Sequence, residues 1–572
     1  MTEFSKSIVP EPLEEVPFEI ANALRATLPN GLRVVMLADD RVPLVSYRLV
    51  FMAGDANDPA DHLGVTSAMT ALITEGTEKY SSRELSEKIE RLGASLSASS
   101  SDDFTFVAAS ALSMYNDDMM QLLEEVVFKP TFPENELDLY RRNTIEHLKY
   151  QRSQPNFLVS EQMNRVLYGE HPYSVSAPTP DDIRKLTRDQ LEAIRIKIFL
   201  PNNAILFVVG DVRNDEMMLQ IEERFGDWEA GERHVLGYPE PPERSERTLT
   251  IVDRPGSAQA NIALGDVLVK RNHPDYFPLL VMNQVLGAGA SSRIFMNLRE
   301  EKGYTYGAYS RLDMKREAGS LEATAEVRTA VTGESLKELF YELERIRSEE
   351  ILEGEMDDAK NFLTGVFPIR AETQEGLAGL IVSREIYDLP HDYLETYREK
   401  ISNVTAADVR RVAEKYVRPE KMAMVMVGDA SDIVKQAEAF TTNIEVYDKS
   451  GKPKDEGGKA MNGETANVSG AWTLNLDFQG QNMAVEMTLE QEGEKITGEL
   501  KTMLGIGKID DGRIDGNAVT AVARTEIQGE TAEFQIDAEV DGDSISGTVN
   551  VPMLGAALDF VGKRKAAGAE AA

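Results

Sequence analysis

The side chains that most often carry catalytic chemistry are few in this chain and are poorly spaced for it. It has six histidines, and no two are four residues apart, the spacing that places two imidazoles on one helix face for zinc. Because the chain has no cysteine, disulfides, thiolate metal sites and cysteine nucleophiles are excluded. Ser291 and Ser292 lie near a predicted helix start with no histidine placed in sequence to activate them, and we interpret them as helix caps.

A glycine-rich loop in the second half precedes a second set of candidate residues. Gly287 and Gly289 lead into a predicted helix that ends at Gly303, and a strand follows. The loop lacks the Lys-Ser/Thr pair of a phosphate-binding loop, so we discount that interpretation. On spacing alone, the better interpretation of Arg299 on the helix is an ordinary helix-surface cation, and that of Tyr306 on the strand is an ordinary strand aromatic.

The segment from Gly64 to Thr77 resembles the inverted zinc motif of the pitrilysin/insulinase peptidases (family M16). In that family the motif is His-x-x-Glu-His on a helix, followed by Gly-Thr, and it supplies two zinc ligands and a general base. Here Ser67 and Ala71 replace the two histidines, and Thr70 replaces the glutamate. A neutral hydroxyl is a poor zinc ligand and alanine is none, so we expect no metal in this chain.

The resemblance covers roughly residues 25–440 and gives the second set of residues a role. The family's C-terminal domain has the same glycine-rich loop, with Gly287 and Gly289 here, and an Arg-Tyr pair matched by Arg299 and Tyr306. In the family this pair contacts the peptide near the scissile carbonyl, where an arginine and a phenol hold substrate and stabilise the developing oxyanion.

The resemblance implies a non-catalytic, substrate-binding subunit of a heterodimeric zinc peptidase that degrades unstructured peptides. The partner would be a family member with an intact zinc motif, and the zinc would be bound there. This chain alone would hydrolyse no peptide. The alternative is a structural or peptide-binding protein on the same fold, with no role in proteolysis.

An internal duplication supports the resemblance independently. The stretch Thr187–Asp211 recurs about 218 positions later as Thr405–Asp429, with Thr, Pro, Gly and Asp in register. Both copies predict a capped helix, a proline turn and a buried strand that ends at Gly-Asp. In the first half, the pattern predicts strands over 32–36 and 45–51, with helices near 62–75, 82–92, 115–126 and 135–152.

These patterns predict an α+β protein with helices on one face of each sheet, followed by a small all-β barrel or sandwich. The predicted parts are a peptidase-like domain over 20–240, a second over 245–445, a linker over 446–468 and a β-domain over 469–566. In the β-domain, Glu492–Gly498 resembles Asp541–Gly547 as a hairpin, and Met503–Gly505 recurs as Met553–Gly555.

The net charge, the apolar runs and the N-terminal sequence limit which partners and which compartment we expect. A formal charge of −36 argues against non-specific binding to nucleic acid or anionic lipid, and we expect no nucleic-acid partner. No apolar run approaches the length of about 20 residues that spans a bilayer. The N-terminal sequence lacks a secretory signal, which favours the cytoplasm, with the periplasm or secretion as the alternative if a leader precedes this sequence.

Overall fold

The computed structural model of the chain describes residues 18, 23–233, 237–449, 451–454, 466–478, 481–502, 505–515, 517–527, 530–551 and 556–565. These residues divide into two compact units. The first comprises the described residues up to 250 and those from 256 to 443, and the second comprises residues 251–255 and the described residues from 444 onward. Within those ranges, no helix has both the length and the apolar character to cross a membrane. His234, residues 455–465 of the predicted linker and the Met-Leu pairs at 503–504 and 553–554 lie outside the described residues.

The first half of the first unit is built on a six-stranded sheet. Its strands are β1 Leu24–Thr27, β2 Arg33–Ala38, β3 Leu44–Phe51, β4 Ser95–Ser100, β5 Thr105–Leu112 and β6 Ala204–Gly210. Its helices are α1 Val65–Leu72, α2 Ser82–Arg91, α3 Asn116–Phe128, α4 Glu134–Ser153, α5 Pro155–Tyr168, α6 Pro180–Lys185, α7 Arg188–Ile198 and α8 Asn214–Phe225. The strand order is β1-β2-β6-β3-β5-β4, with β2 and β6 parallel and the other pairs antiparallel.

The second half repeats this plan. Its strands are β7 Thr248–Asp253, β8 Gln259–Leu268, β9 Thr305–Met314, β10 Gly319–Arg328, β11 Ala423–Gly428, β12 Ile444–Tyr447 and β13 Pro453–Lys454. Its helices are α9 Tyr276–Leu286, α10 Arg293–Phe295, α11 Thr332–Ser348, α12 Glu353–Ala371, α13 Gln374–Ile386, α14 Tyr397–Ser402, α15 Ala406–Tyr416 and α16 Ala430–Ala437. The strand order is β13-β12-β7-β11-β8-β10-β9, so part of the segment predicted as a linker pairs as strands.

The duplicated sequence occupies equivalent places in the two sheets. Strand β6 lies between β2 and β3, and β11 lies between β7 and β8. The helices before them, α7 and α15, each begin at a threonine, Thr187 or Thr405, whose hydroxyl accepts from the amide three residues on. The hairpin β4–β5 corresponds to β9–β10, and in each sheet the first strand of that hairpin is outermost.

Each half supplies a helix that packs on the other half's sheet. Helix α5 contacts β8 and β11, and α13 contacts β3 and β6. A side chain at Gly265 in β8 would meet the Met163 sulfur of α5 at 2.7 Å, so the strand and the helix need this glycine to approach closely. Every residue of β6 and of β11 is buried. The sequence predicts helices on one face of each sheet and gives no sign of this cover by a helix of the other half.

An aromatic cluster in the first unit surrounds one of the two tryptophans. The Trp228 ring centroid lies 5.0 Å from that of Phe128 and 6.1 Å from that of Phe51, both edge-on. Phe51 also stacks on Phe199 at 3.9 Å. Edge-on and offset ring pairs of this kind add about 0.5–1.5 kcal/mol each beyond the area they bury.

The second unit contains a closed antiparallel barrel in which consecutive strands pair and the last pairs with the first. The strands are β14 Gly470–Phe478, β15 Gln481–Glu492, β16 Lys495–Thr502, β17 Gly505–Asp515, β18 Ala518–Ile527, β19 Glu530–Asp541, β20 Ser544–Val551 and β21 Ala556–Arg564. Both predicted hairpins form, at β15–β16 and β19–β20, with Gly493 and Gly542 at φ 65° and 58°.

The barrel interior is apolar and contains the second tryptophan. Trp472 is fully buried, and its indole Nε1 donates to the Val468 carbonyl at 2.9 Å. The Arg564 guanidinium carbon lies 4.3 Å from the Trp472 ring centroid. Alternate residues Trp472, Leu474 and Leu476 are buried, as the period-two pattern of a barrel strand requires. The predicted α+β fold with two duplicated α/β layers and a small β-barrel is confirmed.

Candidate functional site

Helix α1 carries the three positions that correspond to the zinc motif. The helix begins after Gly64, which has φ 82°. The Asp58 carboxylate accepts from the Gly64 amide at 2.7 Å and from the Thr66 amide and hydroxyl at 3.2 and 2.5 Å. Burial raises the pKa of Asp58 to about 7, although the Thr66 hydrogen bond opposes this shift. Asp58 therefore anchors the start of α1.

At the first motif position, the Ser67 hydroxyl is held by its neighbours. It lies 3.1 and 3.0 Å from the two Asp55 carboxylate oxygens and 3.1 Å from the Ser100 hydroxyl. Ser100, at the end of β4, also donates to Asp55 at 2.7 Å. Burial raises the pKa of Asp55 above its ordinary value, while the hydrogen bonds from Ser100 and Ser67 lower it. This carboxylate was not singled out from the sequence, because nothing local links it to Ser67.

The other two motif positions supply no metal ligand. Thr70 is 3% exposed, and its hydroxyl donates to the Ser67 carbonyl of its own helix at 2.9 Å. Ala71 is exposed and has no donor atom. Across the described ranges, no group of three histidine, cysteine, aspartate or glutamate residues is arranged to hold a metal. The side chains at these positions therefore do not fit a zinc ion.

On α4, the phenol of Tyr140 lies near the start of α1. Burial raises the pKa of Tyr140 to about 12, and the charges of Asp55 and Asp58 add to this shift. The Tyr140 phenol is therefore neutral at neutral pH.

The glycine-rich loop packs against the strand that carries Tyr306. A Cβ on Gly287 would meet the amide nitrogen and hydroxyl of Ser310 on β9, both at 2.4 Å. Ser310 in turn donates its amide hydrogen to the Gly287 carbonyl at 2.8 Å. A Cβ on Gly289 would meet only the Gln284 side-chain amide at 3.0 Å. Gly287 is therefore needed for close backbone approach, and Gly289 is not.

The helix after this loop is not the regular helix that the sequence predicts. It starts as α10, and residues Met296–Glu301 form a π-helical turn. Ser292 is the N-cap, but its hydroxyl makes no capping bond and has no partner among the described residues. Its predicted side-chain cap is therefore wrong. Just before the turn, the Nε and Nη2 of Arg293 each donate to a Glu355 carboxylate oxygen at 2.7 Å.

Arg299 and Tyr306 are both accessible to solvent. Arg299, on the π-helical turn, is 45% exposed in its side chain and lies 4.9 Å from the Phe295 ring centroid. Tyr306, near the start of edge strand β9, is 91% exposed. The pairing of β9 with β10 is interrupted between Ala325 and Val327, opposite Tyr306. Such a bulge re-aims the side chain at that point of a strand.

The turns of the two equivalent edge hairpins are joined to each other. Lys315, in the β9–β10 turn, pairs with Asp102, in the β4–β5 turn, at 2.7 Å. Beside them, the Asp103 carboxylate accepts from the Arg316 amide at 3.1 Å and from the Tyr173 hydroxyl. Burial lowers the pKa of Lys315, but Asp102 and Asp313 outweigh it and raise the pKa above its ordinary value. These contacts bridge residues far apart in sequence, so no local pattern signals them.

Two sequence models of one family match the chain. The model described as insulinase (peptidase family M16) matches residues 33–181, and the one described as the peptidase M16 inactive domain matches residues 185–363. The fold is that of a duplicated α+β peptidase-like protein. The chain belongs to peptidase family M16, the insulinase family.

Some similar proteins are named as proteases, and another is named as a non-peptidase homolog. The uncharacterized zinc protease YmxG of Bacillus subtilis is 25% identical over 394 residues, which cover 68% of this chain and 93% of that protein. The non-peptidase homolog YmxG of Helicobacter pylori is 21% identical over 413 residues, covering 72% and 95%. A crystal structure of a peptidase M16 inactive domain from Pseudomonas fluorescens superposes with a TM-score of 0.67 at 25% identity, covering 72% of this chain and 98% of that one.

Proposed function

We propose that this chain is the non-catalytic, substrate-binding subunit of a two-subunit zinc peptidase that degrades unstructured peptides. One contrast supports the proposal. The residues at the zinc-motif positions bond within the protein or lack a donor, whereas Arg299 and Tyr306 are exposed.

In this function the partner provides zinc and the general base. Arg299 and Tyr306 would donate hydrogen bonds in trans to the peptide carbonyl near the bond to be cleaved. Among the strands that the structure describes, the outermost strands β4 and β9 each have a neighbour on one side only. An extended peptide can pair with such an edge through main-chain hydrogen bonds, with little sequence preference. That mode suits unstructured substrates.

The test is a peptidase assay on a fluorogenic unstructured peptide. The full chain is assayed alone, with a family member that has an intact zinc motif from the same organism, and with that partner after Arg299→Ala. We expect activity only in the mixture, with a fall of about tenfold or more in kcat/KM for Arg299→Ala, since a lost charged hydrogen bond is worth about 1.5–3 kcal/mol.

Arg328→Ala is the matched control, because Arg328 is an exposed arginine at the end of the neighbouring strand β10. It should leave the activity of the mixture unchanged. Equal loss with both variants would point to a general charge effect. Activity of this chain alone, or a mixture no more active than the partner alone, would contradict the proposal.

A scaffold role is the second candidate, and it draws support from the Helicobacter pylori relative that is named a non-peptidase homolog. In that case a stable complex with the zinc-bearing partner forms, and Arg299→Ala changes neither its assembly nor any peptidase activity. Size-exclusion chromatography of the same mixtures separates this outcome from a failure to assemble.

A further inference from the structure

An aromatic cleft in the second half surrounds Arg271, which follows strand β8. Two cavities of about 460 and 260 Å³ adjoin there and share Arg271, Tyr276 and Tyr393 in their walls. The smaller cavity is also walled by the rings of Phe367 and Tyr397, which stack at 4.3 Å. This cleft uses neither Arg299 nor Tyr306, so it is separate from the proposed peptide contacts.

The Arg271 guanidinium is held by aromatic rings and has no acidic partner among the described residues. Its Cζ lies 3.7 Å from the Tyr276 ring centroid, and its Nη2 donates to the Tyr393 hydroxyl at 2.7 Å. Its Nη1 is buried, and no described residue accepts a hydrogen bond from it. No carboxylate within the described ranges pairs with Arg271. A buried donor on an uncompensated cation is costly unless an anion completes it.

The cleft has the composition of a site for an apolar anion. The charged residues that line the smaller cavity are Arg271 and Arg370, and none is acidic. The larger cavity adds Lys400, with Asp408 as its one acidic lining residue. A locally cationic cleft is unexpected in a chain of net charge −36. Most of the remaining wall is aromatic or aliphatic, as in most small-molecule sites, and its other polar residues are Asn272, His273, Asn403 and Ser383.

We propose that this cleft binds an apolar carboxylate, with the carboxylate at the Arg271 guanidinium and an aromatic or branched group among the rings. The Tyr393 hydroxyl accepts from Arg271 and still has its own proton to donate to the same anion. Burial raises the pKa of Tyr393 above its usual range, so the phenol keeps that proton at neutral pH. A free aryl acid and the C-terminal residue of a peptide share this chemistry.

Binding of N-acetyl-L-phenylalanine to the full chain tests the proposal, followed by calorimetry or ligand-observed NMR. N-acetyl-L-phenylalaninamide is the matched probe without the charge. We expect saturable binding of the acid, and binding at least about tenfold weaker for the amide and for Arg271→Gln, the loss typical of one charged hydrogen bond. Equal binding of acid and amide, or of wild type and Arg271→Gln, overturns the proposal.

A short peptide ending in phenylalanine, with a free or an amidated C-terminus, distinguishes the two sources. If the free-ended peptide binds more tightly than the N-acetyl acid, the ligand is a peptide end. If the acid binds and the peptide does not, it is a free small acid. If neither probe binds saturably, the cleft is not an anion site and the proposal fails.

Stability measurements separate a lost ligand contact from a lost fold. Because Arg271 has no acidic partner, Arg271→Gln should leave the melting temperature unchanged or raise it. Arg293→Gln is the comparison variant. It leaves the Glu355 carboxylate without its charged partner, so it should lower the melting temperature. If Arg271→Gln also lowers it, Tyr393→Phe replaces it in the binding assay, because it removes the proton that the phenol would donate to the anion. Unweakened binding of the acid by Tyr393→Phe then overturns the proposal.

Discussion

Lys315 and Asp102 form an ion pair of 2.7 Å, Nζ to Oδ2, that joins the β9–β10 turn of one half to the β4–β5 turn of the other. Their side chains are 18% and 29% exposed, so solvent screens the pair only in part. Strand β9 carries Tyr306, and β4 ends at Ser100 beside Ser67. The two edge strands nearest the candidate residues are therefore tied together at their turns.

Lys315→Met should loosen this connection. It keeps most of the apolar stem and removes the charge, so we expect a loss of about 1–3 kcal/mol in the free energy of unfolding. The amides of Arg316 and Glu317, which donate to Asp103 and to the Tyr173 hydroxyl, should exchange hydrogen faster. Hydrogen exchange by mass spectrometry measures this. Lys270→Met is the control, because Lys270 is 53% exposed and lies 3.5 Å from Glu317. Equal effects of the two changes would contradict the importance of the Asp102 pair.

The two glycines of the loop should differ in their tolerance of a methyl group. At Gly287, a Cβ meets the Ser310 backbone amide at 2.4 Å, and the strand must shift, so Gly287→Ala should cost about 1–3 kcal/mol of stability. At Gly289 the nearest atom is the end of the Gln284 side chain, which can rotate away, so Gly289→Ala should stay within about 0.5 kcal/mol of wild type. Thermal unfolding of both variants tests this, and similar melting temperatures would refute it.

Asp58 should make the protein less stable as the pH rises from about 4 to 7. Its pKa is raised from an ordinary 3.8 to about 7 in the folded protein, so the folded state binds this proton more tightly than the unfolded chain. The resulting stabilisation is complete below pH of about 4 and is lost as the pH rises through about 7. Asp58→Asn cannot titrate.

The measurement is the difference in melting temperature between wild type and Asp58→Asn across this pH range. We expect the melting temperature of wild type to fall relative to that of the variant as the pH rises. Asp55 and Asp103, whose pKa values are also raised by burial, are present in both proteins and largely cancel in the difference. A difference that stays constant with pH would show that Asp58 does not titrate in this range.

The sequence predicts those parts of the molecule that leave a periodic or repeated pattern. The recurrence of Thr187–Asp211 at Thr405–Asp429 identifies the central strands β6 and β11 and their capped helices, because capping and full burial act through neighbouring residues. The alternation of buried and exposed residues identifies the β-domain in the same way.

The remaining features depend on contacts that carry no local signal. Asp55 meets Ser67 and Ser100 only after the chain folds, and the cover of β8 by α5 needs the second half in place. Arg293, just before the π-helical turn at Met296–Glu301, pairs with Glu355, which lies 62 residues away in the sequence. The roles of Arg299 and Tyr306 stay a prediction, since exposure alone does not show what they bind.

The two tryptophans fall one in each compact unit, Trp228 among the rings of the first and Trp472 inside the barrel. The chain therefore contains a separate built-in optical reporter for each unit. In a Trp228→Phe variant, all indole emission would come from the barrel, and in Trp472→Phe all of it would come from the peptidase-like part. Comparing the two emission curves during urea titration would show, without any label, whether the units melt as one cooperative block or one after the other.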